Sequence, residues 1–450
     1  MRFLHQKDAD MTHGPIVGQL VHFAIPMAIG LLFQQLYNTV DTVVVGQFVG
    51  KEALAAVGST SSIINTLVGF SAGLSTGSSV VISQCYGAHN DRDLRAAVHT
   101  TVGVTFILSL LFTALGVVLV EPLLRLMSTP EDVFPEARTY LRIYFSGLMG
   151  LLFYNMGSGV LRAVGDSTRP LYFLCFSAAV NTVFDLLFVI RFHLGVAGVA
   201  YATILAQALS AVLVLVVLTR DPGAYGIRWR ELRIDRPMFG RIFAIGLPSG
   251  IQQAITAFSN VFVQSYINFF GSACMAGWSA YNKLDVFLTI PIQSIGMAST
   301  TFVGQNYGAG QLERARRGVK KAQLLSVSIT VALSLVMILA AREVIRLFTT
   351  DPDVMAFGVR FIQLNSPFYF AMCFNQTYAG ALRGVGTAKI PMVIMLFSFV
   401  LFRQAYLFTV KMLGNSLTAV ALAYPVGWAM CSVLLGVFFR RSVLCQKQSA

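Results

Sequence analysis

The sequence repeats itself at an offset of 221 residues, and this confines the chain to architectures with two like halves. SQCYGA at 83–88 returns as GQNYGA at 304–309, and LRAVGDSTRP at 161–170 returns as LRGVGTAKIP at 382–391. STPEDV at 128–133 matches TTDPDV at 349–354, and Gly50 matches Gly271 in the same register. A repeat of this kind sets the architecture before any motif is read.

Hydropathy says what each half is made of. The chain is 56% hydrophobic and 12% charged, against about 45–50% apolar and about 25% charged usage in soluble domains. Apolar stretches long enough to cross a bilayer as a helix, about 20 residues, fall near 16–45, 54–83, 96–119, 140–161, 170–190, 195–219, 242–268, 274–302, 322–341, 360–381, 390–411 and 417–439. The expected fold class is therefore an all-α polytopic membrane protein with twelve transmembrane helices in two pseudo-symmetric six-helix lobes. An even number of spans per repeat brings both halves in from the same side, related by an axis along the membrane normal. The expected division is 1–219 for the N-terminal lobe (spans 1–6), 220–241 for a polar, basic, cytoplasmic inter-lobe linker, and 242–450 for the C-terminal lobe (spans 7–12). The linker reads equally as a tether for moving lobes or as a static loop on acidic lipid heads.

A net charge of +13 raises nucleic acid as a partner, but the distribution of charge points to a lipid bilayer. Segments on the amino-terminal side of the membrane carry 22 of the 33 basic residues, the opposite side carries nine, and Lys283 and Arg403 lie inside spans. By the positive-inside rule both termini are expected to be cytoplasmic. The first apolar run is too long for the core of a secretion signal. The six cysteines show no metal or redox spacing and read as packing residues, with no metal site. In the repeated LRxVGxxxxP segments, Arg162 and Arg383 close a helix, Gly165 and Gly386 permit the turn, and Pro170 and Pro391 open the next span.

The chemistry is concentrated in a few polar residues inside the spans. Of 20 acidic residues, only Asp41, Asp185 and Asp285 sit well within apolar segments. A carboxylate at the bilayer centre costs about 2.5–3.5 kcal/mol, so such residues face a bundle interior and mark ion pathways. Asp41 shares a helix face with Asn38 and Gln34, and Asp185 follows Asn181 by one turn. Each Asp lies five or six residues below the outer end of its span, roughly 8–9 Å deep, and Thr203 reaches a similar level from the sixth span. Two carboxylates, an amide and a hydroxyl suit a hard monovalent cation or a shared proton. The alternative is an interhelical Asp–Asn hydrogen bond that serves only as membrane glue. Asp285 cannot face Lys283 across an i, i+2 spacing, so Arg403 is a possible partner for it. Gln253, Asn260 and Gln264, with Asn268, form a polar stripe along the seventh span that fits a cavity lining or interhelical hydrogen bonds.

The run IPMAIGLLFQQLYNTVDTVVVGQFVG at 25–50, the QCYGA and QNYGA pair, and LRAVGDSTRP with LRGVGTAKIP together resemble the multidrug and toxic compound extrusion (MATE) family over essentially the whole chain. They are similar most of all to its DNA-damage-inducible branch with the staphylococcal-type exporters. The resemblance implies twelve helices in two lobes around a central cleft, with export of amphipathic, often cationic compounds driven by inward flow of H+ or Na+. It also implies a cation site in the amino-terminal lobe at Asp41, Asn181, Asp185 and Thr203. From their places in the spans, Gln34, Asn38, Gln253, Asn260, Gln264, Asp285, Lys283 and Arg403 are cavity-lining candidates. Where other branches place a carboxylate in the seventh or tenth span, this chain has Gln252, Gln253, Gln363 and Asn365. Shifted by 221, Asp41 becomes Phe262, Asn181 becomes Phe402 and Asp185 becomes Tyr406. The expectation is thus a monomeric antiporter of a bacterial inner membrane, not an enzyme, without a cofactor beyond its coupling ion. A flippase for a lipid-linked precursor is the alternative from another transport class. An intramembrane enzyme would need a nucleophile and base or a metal set, and the spans hold neither.

Overall fold

Each apolar window becomes a helix that overruns it at one or both ends. The computed structural model describes residues 10–445. The first repeat forms α1 (Ile16–Phe48), α2 (Lys51–Gly87), α3 (Asp91–Leu126), α4 (Phe134–Ser146 continued by Leu148–Ala163), α5 (Thr168–Arg191) and α6 (Gly195–Arg220). The second forms α7 (Arg236–Asn268), α8 (Ser272–Gly308), α9 (Leu312–Leu339), α10 (Pro352–Asn365 and Tyr369–Gly384, joined by a 3-10 turn), α11 (Lys389–Met412) and α12 (Leu417–Arg440). Among the described residues, nine of these are long and apolar enough to cross a bilayer by themselves. The other three complete the twelve spans: α4 and α10 are jointed, and α7 is diluted by Gln, Asn and Ser. The overruns are polar turns outside the hydrocarbon window, such as LERARRGVKK at the start of α9, where helix propensity and not hydropathy sets the boundary.

The repeat recurs in the backbone. Helices α2 and α8 both run for 37 residues, and each follows a glycine at positive φ, Gly50 at 131° and Gly271 at 88°. Gly165 and Gly386 take φ of 91° and 93° in the turns before α5 and α11, a left-handed conformation that favours glycine. One feature breaks the symmetry. The π-helical turn of α5 lies at its end, Leu187–Arg191, whereas that of α11 lies at Phe397–Phe402, just before Arg403.

Packing divides the chain into two compact units that differ from simple halves of the sequence. One takes in Ile29–Gly250 and the other residues 11–28 with 251–445. Helix α1 changes unit after Ala28 and α7 after Gly250, each two residues beyond an internal proline, Pro26 and Pro248. Within the first unit, α7 meets α2 through glycines: a Cβ on Gly73 would lie 2.2 Å from the Gly250 backbone, and one on Gly77 would lie 2.5 Å from Gly246. Within the second unit, Leu20, Phe23, Ala24 and Met27 of α1 pack on Ile295, Ala298 and Phe302 of α8. The polar connector is shorter than the expected 220–241, because α7 begins at Arg236. It is also pinned to α3: the Arg228 N–H donates to His99 Nε2 at 3.1 Å and the Asp235 N–H to Thr100 Oγ1 at 2.9 Å.

Candidate functional site

In the first unit α1 and α5 bring Asp41 and Asp185 together. Asp41 is 8% exposed and Asp185 fully buried, and the two carboxyl groups are near neighbours. Asp41 Oδ1 and both carboxyl oxygens of Asp185 have no hydrogen-bond partner. Two buried carboxylates that neighbour each other repel when both are ionised. Asn181, one turn before Asp185, is also buried, and its amide oxygen and nitrogen are both without a partner. Orphaned polar atoms in this number call for a role, since buried polar groups are ordinarily satisfied. Toward the α1 C-terminus the pair is covered by an apolar cluster that includes Val44, Val45, Val189, Val196 and Val199.

Beside the pair is a cavity of about 40 Å³, walled by Gln34, Tyr37, Asn155, Asn181, Thr203 and Gln207 among others. One water needs about 10–15 Å³, so the space has room for two or three water-sized occupants. Asn181 borders the cavity and the carboxyl pair at once, being one turn from Asp185 on α5. The Thr203 hydroxyl donates to the Val199 carbonyl at 3.0 Å. Asn38 is exposed, is not part of this wall, and offers its main-chain carbonyl to Thr42. Sequence reasoning missed three tyrosines, Tyr37, Tyr140 and Tyr144, that stand around Asp41. Tyr37 was findable, since it precedes Asp41 by four residues on the same helix face. Tyr140 and Tyr144 come from α4, and no spacing in α1 announces them.

The remaining candidates lie in the second unit. The expected pairing of Asp285 with Arg403 is not made. Arg403 is 3% exposed, and its Nη2 donates to Ser259 Oγ at 3.0 Å and to Asn260 Oδ1 at 2.9 Å, with the guanidinium 4.8 Å from the ring centroid of Tyr424. Asp285 is half-buried against the Tyr281 hydroxyl, which meets the Tyr369 hydroxyl at 2.9 Å. The aromatic layer between α8, α10 and α12 thus takes the place of the ion pair. Lys283 is exposed, 5.8 Å from the Phe348 ring. Of the polar stripe on α7, Gln264 donates to Asn268 at 2.8 Å on an exposed face, Asn260 belongs to Arg403, and Gln253 is half-buried.

Comparison with known proteins fits this architecture. The MatE family profile matches the chain twice, over residues 26–187 and again over 248–409, which reproduces the repeat. The chain is 32% identical over 405 residues to the probable multidrug resistance protein YpnP of Bacillus subtilis, covering 89% of each. It is 27% identical over 431 residues to the probable multidrug resistance protein YoeA of the same organism, covering 93% of this chain and 92% of that one. A solved multidrug resistance MATE family transporter of the MOP superfamily, in an outward-facing conformation, superposes with a TM-score of 0.90 at 23% identity, covering 97% of this chain and 98% of that one. The last likeness concerns the fold alone. A matched profile across both repeats, with a relative this similar over nearly the full length, makes the chain a member of the MatE family of multi-pass membrane transporters.

Proposed function

We propose that this protein exports amphipathic, often cationic compounds by antiport against inward flow of H+ or Na+, with the coupling ion held at Asp41 and Asp185. The observation that carries the reading is a pair of neighbouring buried carboxyl groups with unpartnered oxygens beside a small polar cavity. Such a pair changes its charge with occupancy, so it can bias two conformations according to whether a proton or cation is present. Asn181 supplies an unpaired amide to the same ion. The names of the similar proteins, probable multidrug resistance proteins, support the choice of substrate class. We take the protein to work as a monomer with both termini in the cytoplasm, on the distribution of basic residues.

Inverted membrane vesicles given a fluorescent cation in the outside medium provide the test, with a pH gradient and a sodium gradient imposed separately. Uptake driven by one of them, and abolished when that gradient is collapsed, is the expected result. Uptake indifferent to both gradients contradicts ion coupling, and movement of a lipid-linked sugar in the same vesicles without uptake of the cation favours the flippase reading.

A further inference from the structure

We infer that the second repeat carries an oxyanion site centred on Arg403 that takes the carboxylate of an anionic or zwitterionic amphipathic substrate. The inference extends the export reading above and rests on it only for the word substrate.

The register of the repeat makes the first part of the argument. Subtracting 221 takes Ser259 to Asn38, Asn260 to Thr39, Arg403 to Thr182 and Tyr424 to Thr203. Of these, Thr203 lines the polar cavity of the first repeat, whereas Asn38 and Thr39 are exposed. The carboxylates themselves have become Phe262 and Tyr406. The second repeat thus lacks the acid pair and has a base where the first has Thr182.

The bonding of Arg403 makes the second. A guanidinium inside a span is as costly as a carboxylate and is expected to have a counter-charge. Its hydrogen-bond acceptors are neutral, Ser259 and Asn260. Its Nε is buried with no partner. The side chain is nevertheless held firmly, by the Tyr424 ring at 4.8 Å and by Ser259, whose hydroxyl also donates to the Phe399 carbonyl freed by the π-helical turn. A π-helical turn inside a span is frequently a mark of a functional site. Asn260 is exposed, so the guanidinium tip it holds lies one side chain from the surface of the unit. A fixed, unneutralised guanidinium beside one exposed amide recognises a carboxylate through charge-assisted bonds, and Asn260 can rotate to add its amide N–H.

Binding of a matched dye pair to the purified full-length protein, read by fluorescence anisotropy, tests this. One dye is a rhodamine with a free benzoate, the other the methyl ester of the same rhodamine, which is a plain cation. Arg403→Gln should weaken the benzoate dye by about tenfold or more, the scale of one charge-assisted hydrogen bond, and change the ester by less than about threefold. Asn260→Asp, which supplies a carboxylate at an exposed position and so is compatible with folding, should likewise weaken the benzoate dye and spare the ester. Equal weakening of both dyes in these variants, or no change in either, overturns the site and leaves Arg403 a packing residue. Wild-type protein that binds the ester but never the benzoate also overturns it while keeping the export of cations. Binding of the benzoate alone, lost in Asn260→Asp, keeps the site and removes the cationic substrate class.

Discussion

Asp41 and Asp185 could be singled out in the sequence because a carboxylate in an apolar segment is costly enough to need a reason. Their proximity could not, because it depends on how α1 and α5 are rotated against each other. The proximity has a consequence for substitution. Asp41→Asn and Asp185→Asn each leave one carboxylate, which accepts a hydrogen bond from the new amide, so both variants should fold with melting points close to wild type. On the proposed coupling role, neither variant cycles a proton or cation. Coupling energies of about 1–3 kcal/mol correspond to about 5- to 150-fold effects, so the stimulation of efflux by the ion gradient should drop by that factor. Gradient-driven efflux at the wild-type level in either variant would remove the pair from the coupling mechanism. The tyrosines around Asp41 show the limit of helical spacing: Tyr37 shares a face with Asp41, but Tyr140 and Tyr144 arrive from another helix.

Among the elements, the crossing of α2 and the first part of α7 is set by two small-residue motifs that meet. Gly73-Leu-Ser-Thr-Gly77 faces Gly246-Leu-Pro-Ser-Gly250, and the obstacle to a larger residue at Gly73, Gly77 and Gly246 is main chain. Close approach through glycines is how helices associate where lipid offers no hydrophobic gain between them. The second repeat has Ser294 and Ala298 on α8 in the corresponding register, with Ala24 of α1 packed in the same cluster as Ala298. Gly77→Val should therefore cost stability at the upper end of the about 1–3 kcal/mol typical of overpacking, since backbone cannot swing aside. Gly240→Ala in the same α7 meets open space and is the control. Thermal unfolding in detergent should separate the two, and a Gly77→Val protein as stable as the control would show that this crossing tolerates a wider spacing.

At the scale of the whole molecule, the start of α1 belongs to one unit and its remainder to the other, and the same is true of α7. The segment ahead of α1 is correspondingly tied to the second unit. The Met11 N–H donates to Gln305 Oε1 at 2.9 Å, Asn306 Nδ2 donates to the Met11 carbonyl at 3.1 Å, and Arg314 Nη2 donates to the Gly14 carbonyl and Gln19 Oε1, both at 2.9 Å. This gives the repeated QNYGA segment a task that its sequence did not disclose. Arg314→Ala removes the charged member of the set, and bonds to charged groups contribute about 1.5–3 kcal/mol each. Amide exchange at residues 11–14 should accelerate by at least about tenfold, as that energy implies, while exchange in α2 stays unchanged. Protection retained in the variant would mean that burial of Met11 alone holds the segment.

Hydropathy and the 221-residue register were enough to determine twelve spans, two like repeats and the identity of the intramembrane carboxylates, because these depend on solvent and on period, which are properties of the chain taken locally. The glycine turns were legible for the same reason: the positive φ at Gly165 and Gly386 is a local demand. The division of α1 and α7 between units, the tyrosine surround of Asp41, and the choice by Arg403 of Ser259, Asn260 and Tyr424 over Asp285 were decided only in the tertiary structure. Each depends on the rotation and depth of one helix against another. Those are set by close packing of side chains from distant parts of the sequence, which no periodicity within a single span encodes.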